Sequence, residues 1–188
     1  AGYLRRHLQL ARVPALDRRR RPPPPRRRRL REGTAVGSAL KTGYDAEYFD
    51  AVVTSPCFGN RMADHHNAKD NSKRHTYRHY LGRELTKGSA AGMQWGEEYK
   101  HFHTEAWLEA KKILKVDGLL IINIKDHIRD GKIQHVTQWH ADTCSKMGFK
   151  QIDTIIIPAS GMTHGENSEQ RIPHESLLVF TKPEKVLG

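Results

Sequence analysis

The sequence predicts an α/β domain, because apolar segments of strand length alternate with segments of helical periodicity. Four segments are apolar and rich in β-branched residues, as buried strands are: 48–54, 119–124, 152–157 and 177–181. Near-continuous apolar strands separated by amphipathic helices are typical of a sheet that is covered on both faces. No helix separates the last two strands, which favours an antiparallel hairpin at one edge of the sheet.

Two helices are predicted between these strands. The first spans residues 97–115, with acidic residues at its start and lysines at its end, and Asp117 with Gly118 is expected to stop it. Its predicted buried face repeats at intervals of three and four: Tyr99, Phe102, Ala106, Ala110 and Ile113. The second helix has the same spacing and is expected to close at Gly148, and its predicted buried face is Ile133, Val136, His140, Cys144 and Met147.

The composition fits one domain of ordinary size. The chain has 188 residues, of which 37% are hydrophobic, so a core can form. Its two cysteines exclude a disulfide-stapled scaffold and fit a reducing compartment, which predicts a cytoplasmic protein. No apolar run approaches the roughly 18–20 residues of a membrane helix, so no membrane partner is expected.

The basic charge is concentrated in residues 1–32. The formal net charge is +11, of which residues 1–32 carry +10 and residues 33–188 carry +1. Arginine and proline blocks without apolar periodicity predict a disordered tail over residues 1–34, ahead of a domain over 35–188. Three interpretations of the tail stay open: an arm that binds DNA phosphates, a tail without a role, and the product of GC-rich DNA that is translated out of frame.

The first predicted strand ends in a motif that is suited to holding an amine: Ser55, Pro56, Cys57 and Phe58. Ligands of open α/β sheets bind beyond the carboxyl ends of the strands. The Ser55 hydroxyl and the Pro56 carbonyl can accept hydrogen bonds from an NH2 group, and the Phe58 ring offers a face on which an extruded base can stack. Proline stiffens the turn, so these acceptors are positioned before a ligand arrives.

This motif resembles that of the phage and bacterial DNA amino-methyltransferases, in which Asp, Asn or Ser precedes Pro-Pro and then Tyr or Phe. Residues 105–126 resemble the family's helix, turn and following strand, and residues 175–183 resemble its last strand. Residues 36–43 resemble the segment that carries an acidic residue facing the cofactor's adenine, a position taken here by Ser38. The similarity implies a Rossmann-like methyltransferase fold that uses S-adenosylmethionine.

The resemblance also implies a reaction and a set of residues. An exocyclic amine of cytosine or adenine in double-stranded DNA would attack the sulfonium methyl directly, without a covalent enzyme intermediate. The expected catalytic residues are Ser55, Pro56, Cys57 and Phe58, and the expected cofactor-binding residues are Ser38, Ser55 and Asn123. Asn123 and Asp126 are expected near the pocket, on the same sheet edge as Ser55. A serine at the first motif position resembles the cytosine enzymes more than the adenine enzymes.

Cys57 stands where the family has its second proline, and it leaves another chemistry open. A Pro-Cys pair after a buried strand also occurs in cytosine carbon-5 methyltransferases, where the cysteine is a covalent nucleophile. The Glu-Asn-Val and Gln-x-Arg-x-Arg elements that would activate the base for that reaction are not found nearby. We therefore interpret Cys57 as a small packing residue and keep the carbon-5 reaction as the alternative.

A glycine-rich turn that would admit the cofactor is missing where the resemblance places it. The turn is expected upstream of the motif, where the arginine–proline tail stands, and Gly33, Gly37 and Gly43 follow no strand. The sequence therefore predicts a fold that is incomplete in its N-terminal half, with the tail replacing that half through a frameshift or truncation. The competing non-enzyme hypothesis is a basic DNA-binding protein whose effective part is residues 1–32.

Residues 57–96 are polar and lack clear periodicity, which predicts a functional or disordered loop. Basic residues interleaved with aromatic residues suit contacts with phosphates and bases. The predicted DNA-binding residues are Arg61, Lys73, Arg74 and Arg78. The histidines of this loop, among them His75 and His79, have no paired cysteine or carboxylate at a recognised spacing, so no metal site is predicted.

Overall fold

The computed structural model describes residues 37–59, 82–83, 85, 87–159 and 172–184, which all belong to the compact unit Gly37–Gly188. The predicted tail over residues 1–34 lies outside the described residues, as does much of the predicted loop. The elements in chain order are β1 (Phe49–Thr54), a 3-10 turn (Ala90–Gly92), α1 (Glu97–Ile113), β2 (Leu114–Ile124), β3 (His127–Arg129), β4 (Lys132–Gln134), α2 (Val136–Lys146), β5 (Lys150–Pro158) and β6 (His174–Thr181).

The main sheet has four strands in the order β1-β2-β6-β5. β1 and β2 are parallel, with Thr54 opposite Ile122, and α1 forms the crossover between them. β6 runs antiparallel to both of its neighbours, β2 and β5. The predicted antiparallel pairing of the last two strands is confirmed. The last strand of the chain nevertheless inserts into the sheet, and β5 takes the edge.

The core lies on one face of this sheet, where α1 and α2 pack together. Alternate strand residues point into it and are at most 1% exposed: Leu120, Ile122, Ile124, Leu178 and Phe180. For the described residues, the prediction of a sheet covered on both faces is wrong at the two edge strands, whereas the second face of β2 and β6 is half-buried. Val53 of β1 is 71% exposed, and β5 is exposed along its whole length.

The first helix and the following strand meet earlier than predicted. α1 ends at Ile113 and β2 begins at Leu114, so the predicted helical residues up to 115 include the start of the strand. Asp117 has a φ of 60°, and the β1–β2 register shifts beside it. Asp117 and Gly118 therefore form an irregularity inside β2 and do not stop a helix. The buried face of α1 also differs, because His103 is 2% exposed and Phe102 is only half-buried.

The second helix begins later than predicted, because Ile133 belongs to a β-hairpin. β3 and β4 pair around Asp130 and Gly131, whose φ values of 51° and 69° are those of a tight hairpin turn. Ile133 is 46% exposed in β4. The remaining periodic residues do face the core, and Gly148, with a φ of 84°, closes the helix end as predicted.

Within the part of the chain that the structure describes, no helix is long and apolar enough to cross a membrane.

Candidate active site

The predicted amine-holding motif lies at the carboxyl end of β1. Thr54 is the last residue of β1 and is paired with Ile122 of β2, so Ser55 and Asn123 come next along two neighbouring parallel strands. This is the sheet edge at which open α/β folds bind their ligands. Ser55 is exposed and Pro56 is half-buried, so both acceptor groups lie where a ligand can approach them.

Two hydrogen bonds fix the backbone that follows. The Tyr99 hydroxyl donates to the Cys57 carbonyl at 2.7 Å, and the Trp95 amide donates to the Gly59 carbonyl at 3.0 Å. Gly59 adopts a φ of 67°, and a Cβ atom at this position would lie 2.9 Å from the Trp95 nitrogen. Only glycine fits this close approach, so the motif ends in a turn that is tied to the start of α1.

An aromatic cluster supports the motif from the core side. Phe58 is half-buried and packs against the core, as Trp95 and Trp139 do. Ring centroids lie 5.3 Å apart for Trp95 and Tyr99, and 5.8 Å apart for Trp95 and Trp139, in edge-to-face geometry. The Phe58 ring is therefore held on one side by the buried core.

Asn123 is placed at the same edge and has an unexpected neighbour. Its Nδ2 donates to the Glu175 carboxylate at 2.8 Å. Its Oδ1 is buried and has no hydrogen-bond partner among the residues that the structure describes. Sequence reasoning missed Glu175 as a site residue. No sequence signal could have found it, because Glu175 reaches this edge only through the antiparallel pairing of β6 with β2, which the tertiary structure decides.

Asp126 and His127, which follow Asn123 in the chain, have different roles. The Asp126 carboxylate accepts a hydrogen bond from the Thr137 amide at 2.7 Å, so it satisfies a free N–H group in the first turn of α2. Both ring nitrogens of His127 are buried, and in the described ranges their nearest polar neighbour is the backbone of Phe58, which is too poorly aligned for a regular hydrogen bond. Burial lowers the pKa of His127, and the charge of Asp126 opposes this shift. His127 is therefore neutral near pH 7.

Ser38 does not contact the motif. It lies exposed in a turn, where its hydroxyl accepts a hydrogen bond from the Leu40 amide at 3.2 Å. Thr42, which follows in the same segment, is hydrogen-bonded to Glu109 near the C-terminal end of α1, whereas the motif is hydrogen-bonded to Tyr99 near the N-terminal end. The assignment of Ser38 to the cofactor's adenine thus stays a prediction.

The predicted DNA-binding residues Arg61, Lys73, Arg74 and Arg78 lie outside the described residues, and so do His75 and His79. Across residues 37–59, 82–83, 85, 87–159 and 172–184, no group of three or more histidine, cysteine or carboxylate side chains could hold a metal ion.

Comparison with known proteins agrees with this architecture. Residues 49–187 match the family of DNA methylases. No curated protein matches the sequence. The solved structure of TTHA0409 from Thermus thermophilus, assigned as a DNA modification methylase, is 18% identical with a TM-score of 0.53, and the match covers 81% of this chain and 55% of that chain.

Two further solved structures give similar values. TTHA0409 complexed with S-adenosyl-L-methionine is 18% identical with a TM-score of 0.51, over 81% of this chain and 56% of that chain. The cytosine-N4-specific PvuII DNA methyltransferase is 14% identical with a TM-score of 0.51, over 81% of this chain and 50% of that chain. At these identities the likeness establishes the fold, which is the Rossmann-like methyltransferase fold expected from the sequence.

The chain spans about half the length of the solved structures that it matches. The family match begins at the first residue of β1 and includes the motif, both helices and the last strand. This chain therefore belongs to the DNA methylase family.

Proposed function

We propose that this chain carries the catalytic motif of a DNA amino-methyltransferase, which methylates an exocyclic amine of cytosine or adenine in double-stranded DNA. The observation that carries the proposal is the motif turn itself. Ser55 and Pro56 present oxygen acceptors at the carboxyl edge of a parallel strand pair, within the region that matches the DNA methylases. An amine has N–H groups to donate, whereas a carbon-5 position has none.

In this proposal the chain acts by binding and orienting the amine. The Ser55 hydroxyl and the Pro56 carbonyl accept hydrogen bonds from the two N–H groups of the amine. These bonds orient the nitrogen lone pair and increase the electron density on the nitrogen. The Phe58 ring stacks on the extruded base, and its partly buried position limits how far the base can tilt.

S-adenosylmethionine, when bound, supplies a methyl group on a positively charged sulfonium. The chemistry of this edge fits such a cation. Asn123 Oδ1 is a buried acceptor without a partner among the described residues, and the Glu175 carboxylate lies beside it. Oxygen acceptors and a negative charge suit the ammonium and sulfonium groups of this molecule. The residues that would hold the cofactor at this edge are thus Ser55, Asn123 and Glu175.

Transfer of a radiolabelled methyl group to DNA tests the proposal, with the methylated nucleoside identified by mass spectrometry. We expect N4-methylcytosine or N6-methyladenine as the product. Ser55→Ala and Phe58→Ala should each reduce kcat at least about 100-fold, since they remove positioning of the reacting amine. Cys57→Ala is the matched control within the motif and should keep most of the activity.

Two outcomes would contradict the proposal. Formation of 5-methylcytosine that is lost in Cys57→Ala would establish the carbon-5 reaction. DNA binding that disappears when residues 1–32 are removed, with no methyl transfer by the intact protein, would establish the basic DNA-binding protein.

A further inference from the structure

A buried chain of hydrogen bonds runs from the core to the motif. The Trp107 indole Nε1 donates to His140 Nδ1 at 3.1 Å, and His140 Nε2 lies 3.0 Å from the Tyr99 hydroxyl. The same hydroxyl donates to the Cys57 carbonyl at 2.7 Å. The three side chains come from α1 and α2, and their exposed fractions are 4% for Trp107 and 0% for His140 and Tyr99.

Only one assignment of protons satisfies every member of this chain. An indole N–H can only donate, so His140 Nδ1 accepts and its ring proton is on Nε2. His140 Nε2–H then donates to the Tyr99 oxygen, which leaves the Tyr99 proton for the Cys57 carbonyl. A doubly protonated His140 would place an N–H against the indole N–H of Trp107. Burial lowers the pKa of His140, which keeps the ring neutral.

The end of this chain is a backbone group inside the motif. The Cys57 carbonyl belongs to the peptide plane that joins Cys57 to Phe58, so the bond from Tyr99 sets the orientation of that plane. The Pro56 carbonyl precedes this peptide plane and the Phe58 side chain follows it. Loss of the Tyr99 hydroxyl would leave the His140 donor unpaired in the core and would remove the bond that orients the Cys57 carbonyl, so the motif would relax.

We infer that Tyr99 and His140 are positioning residues for methyl transfer, acting through the Cys57 carbonyl to fix the motif that receives the amine. This inference rests on the proposed function. Neither side chain touches the substrate in this role. Their contribution is to hold the Pro56 acceptor and the Phe58 ring in one arrangement before the base arrives.

The packing role of Tyr99 can be separated from its positioning role. Tyr99→Phe keeps the buried ring and its contacts with Trp95 and removes only the hydroxyl. Ile113→Val is the matched control, because it deletes a buried methyl group at the other end of α1, away from the motif. A purely structural role predicts that both variants lose stability and retain the conformation of the motif.

The first measurement needs no activity and uses NMR on the isotope-labelled full chain. The long-range 15N spectrum of wild-type protein should show His140 in the neutral form with its proton on Nε2. Tyr99→Phe should shift the carbonyl carbon of Cys57 and the amides of Phe58 and Gly59, and Ile113→Val should leave these signals in place. A wild-type proton on Nδ1, or motif signals that do not move in Tyr99→Phe, would overturn the inference.

The second measurement compares kcat and KM for methyl transfer. Tyr99→Phe should reduce kcat about 10- to 100-fold while KM for S-adenosylmethionine stays within about twofold, because the Pro56 and Phe58 positions shift whereas the cofactor contacts of Asn123 and Glu175 lie outside the motif and remain. A kcat equal to that of Ile113→Val would overturn the inference. Absence of transfer by the wild-type protein would instead contradict the proposed function, and the NMR comparison would still decide whether Tyr99 and His140 fix the motif.

Discussion

The Glu109 carboxylate accepts hydrogen bonds from both the backbone amide and the hydroxyl of Thr42, at 2.9 and 2.7 Å. The Lys112 ammonium, one helical turn further on, lies 2.9 Å from the same carboxylate. The pKa of Glu109 is lowered to about 2, chiefly by the hydrogen bond from the Thr42 side chain and next by the hydrogen bond from Lys112. An ionised side chain of α1 therefore ties the segment before β1 to the helix.

Glu109→Gln should destabilise the fold, because it removes the ion pair with Lys112 and weakens the bonds from Thr42. We expect a loss of about 1–3 kcal/mol in the free energy of unfolding, measured by urea denaturation at pH 7. Glu97→Gln is the matched control, since Glu97 pairs with Lys100 at the same spacing on α1 but its side chain is 91% exposed. That control should lose less than about 0.5 kcal/mol. Equal losses in the two variants would contradict the anchoring role of Glu109.

Stability should fall as the pH is lowered from about 6.5 towards 4. Burial lowers the pKa of His103 to about 4, and burial also lowers the pKa of His140. Both rings are neutral when folded and take up protons on unfolding in this range, so acid favours the unfolded chain. Each contributes a slope of about 1.4 kcal/mol per pH unit. Below about pH 4.5, protonation of Glu109 in the unfolded chain adds to the loss of stability, because the pKa of Glu109 in the folded protein lies below its ordinary value.

Urea denaturation at several pH values between 4 and 7 measures this slope. His103→Asn can keep the donor to the Tyr99 carbonyl while removing the titrating ring, so its slope should be shallower than that of the wild type. An unchanged slope would show that His103 does not titrate as its burial requires.

Gly59→Ala should be more damaging than Gly88→Ala. Both glycines have positive φ, 67° and 80°, so each variant bears the cost of about 1–2 kcal/mol for a left-handed residue. Only at Gly59 would the new Cβ also meet a backbone atom, the Trp95 nitrogen at 2.9 Å, whereas Gly88 has nothing within 4 Å. The difference in unfolding free energy between the variants isolates this close approach. Equal destabilisation would show that the turn and Trp95 can separate without cost.

The two cysteines should differ in reactivity towards a thiol reagent. Cys144 is fully buried, and burial raises its pKa to about 12, so it should react only after unfolding. Cys57 is half-buried in the motif and should be the thiol that is modified in native protein. Cys57→Ala should abolish the native reaction. Labelling of Cys144 at the same rate as Cys57 would contradict the tight packing of α2 on the sheet.

At Asp130 and Gly131 the sequence carries two conflicting signals, one for a hairpin turn and one for an earlier start of the second helix. An Asp-Gly pair is a strong hairpin signal, but Ile133 happens to continue the three–four spacing of the following helix. Backbone angles at the two turn residues decide for the hairpin. The exposure of Val53 could not be foreseen from composition, because a β-branched apolar run looks the same at the centre of a sheet and at its edge.

The sequence by itself determined the four strands of the main sheet, the two helices, their order along the chain and the motif Ser55 to Phe58 at the end of the first strand. Periodicity and turn residues are local properties, so they can be recognised without the partners of each segment. Tertiary structure alone decided the insertion of the last strand, the pairing of Asn123 with Glu175, and the chain from Trp107 through His140 and Tyr99 to Cys57. The side-chain hydrogen bonds among them join residues that are 33 to 52 positions apart, and only folding brings their donors and acceptors within hydrogen-bond distance.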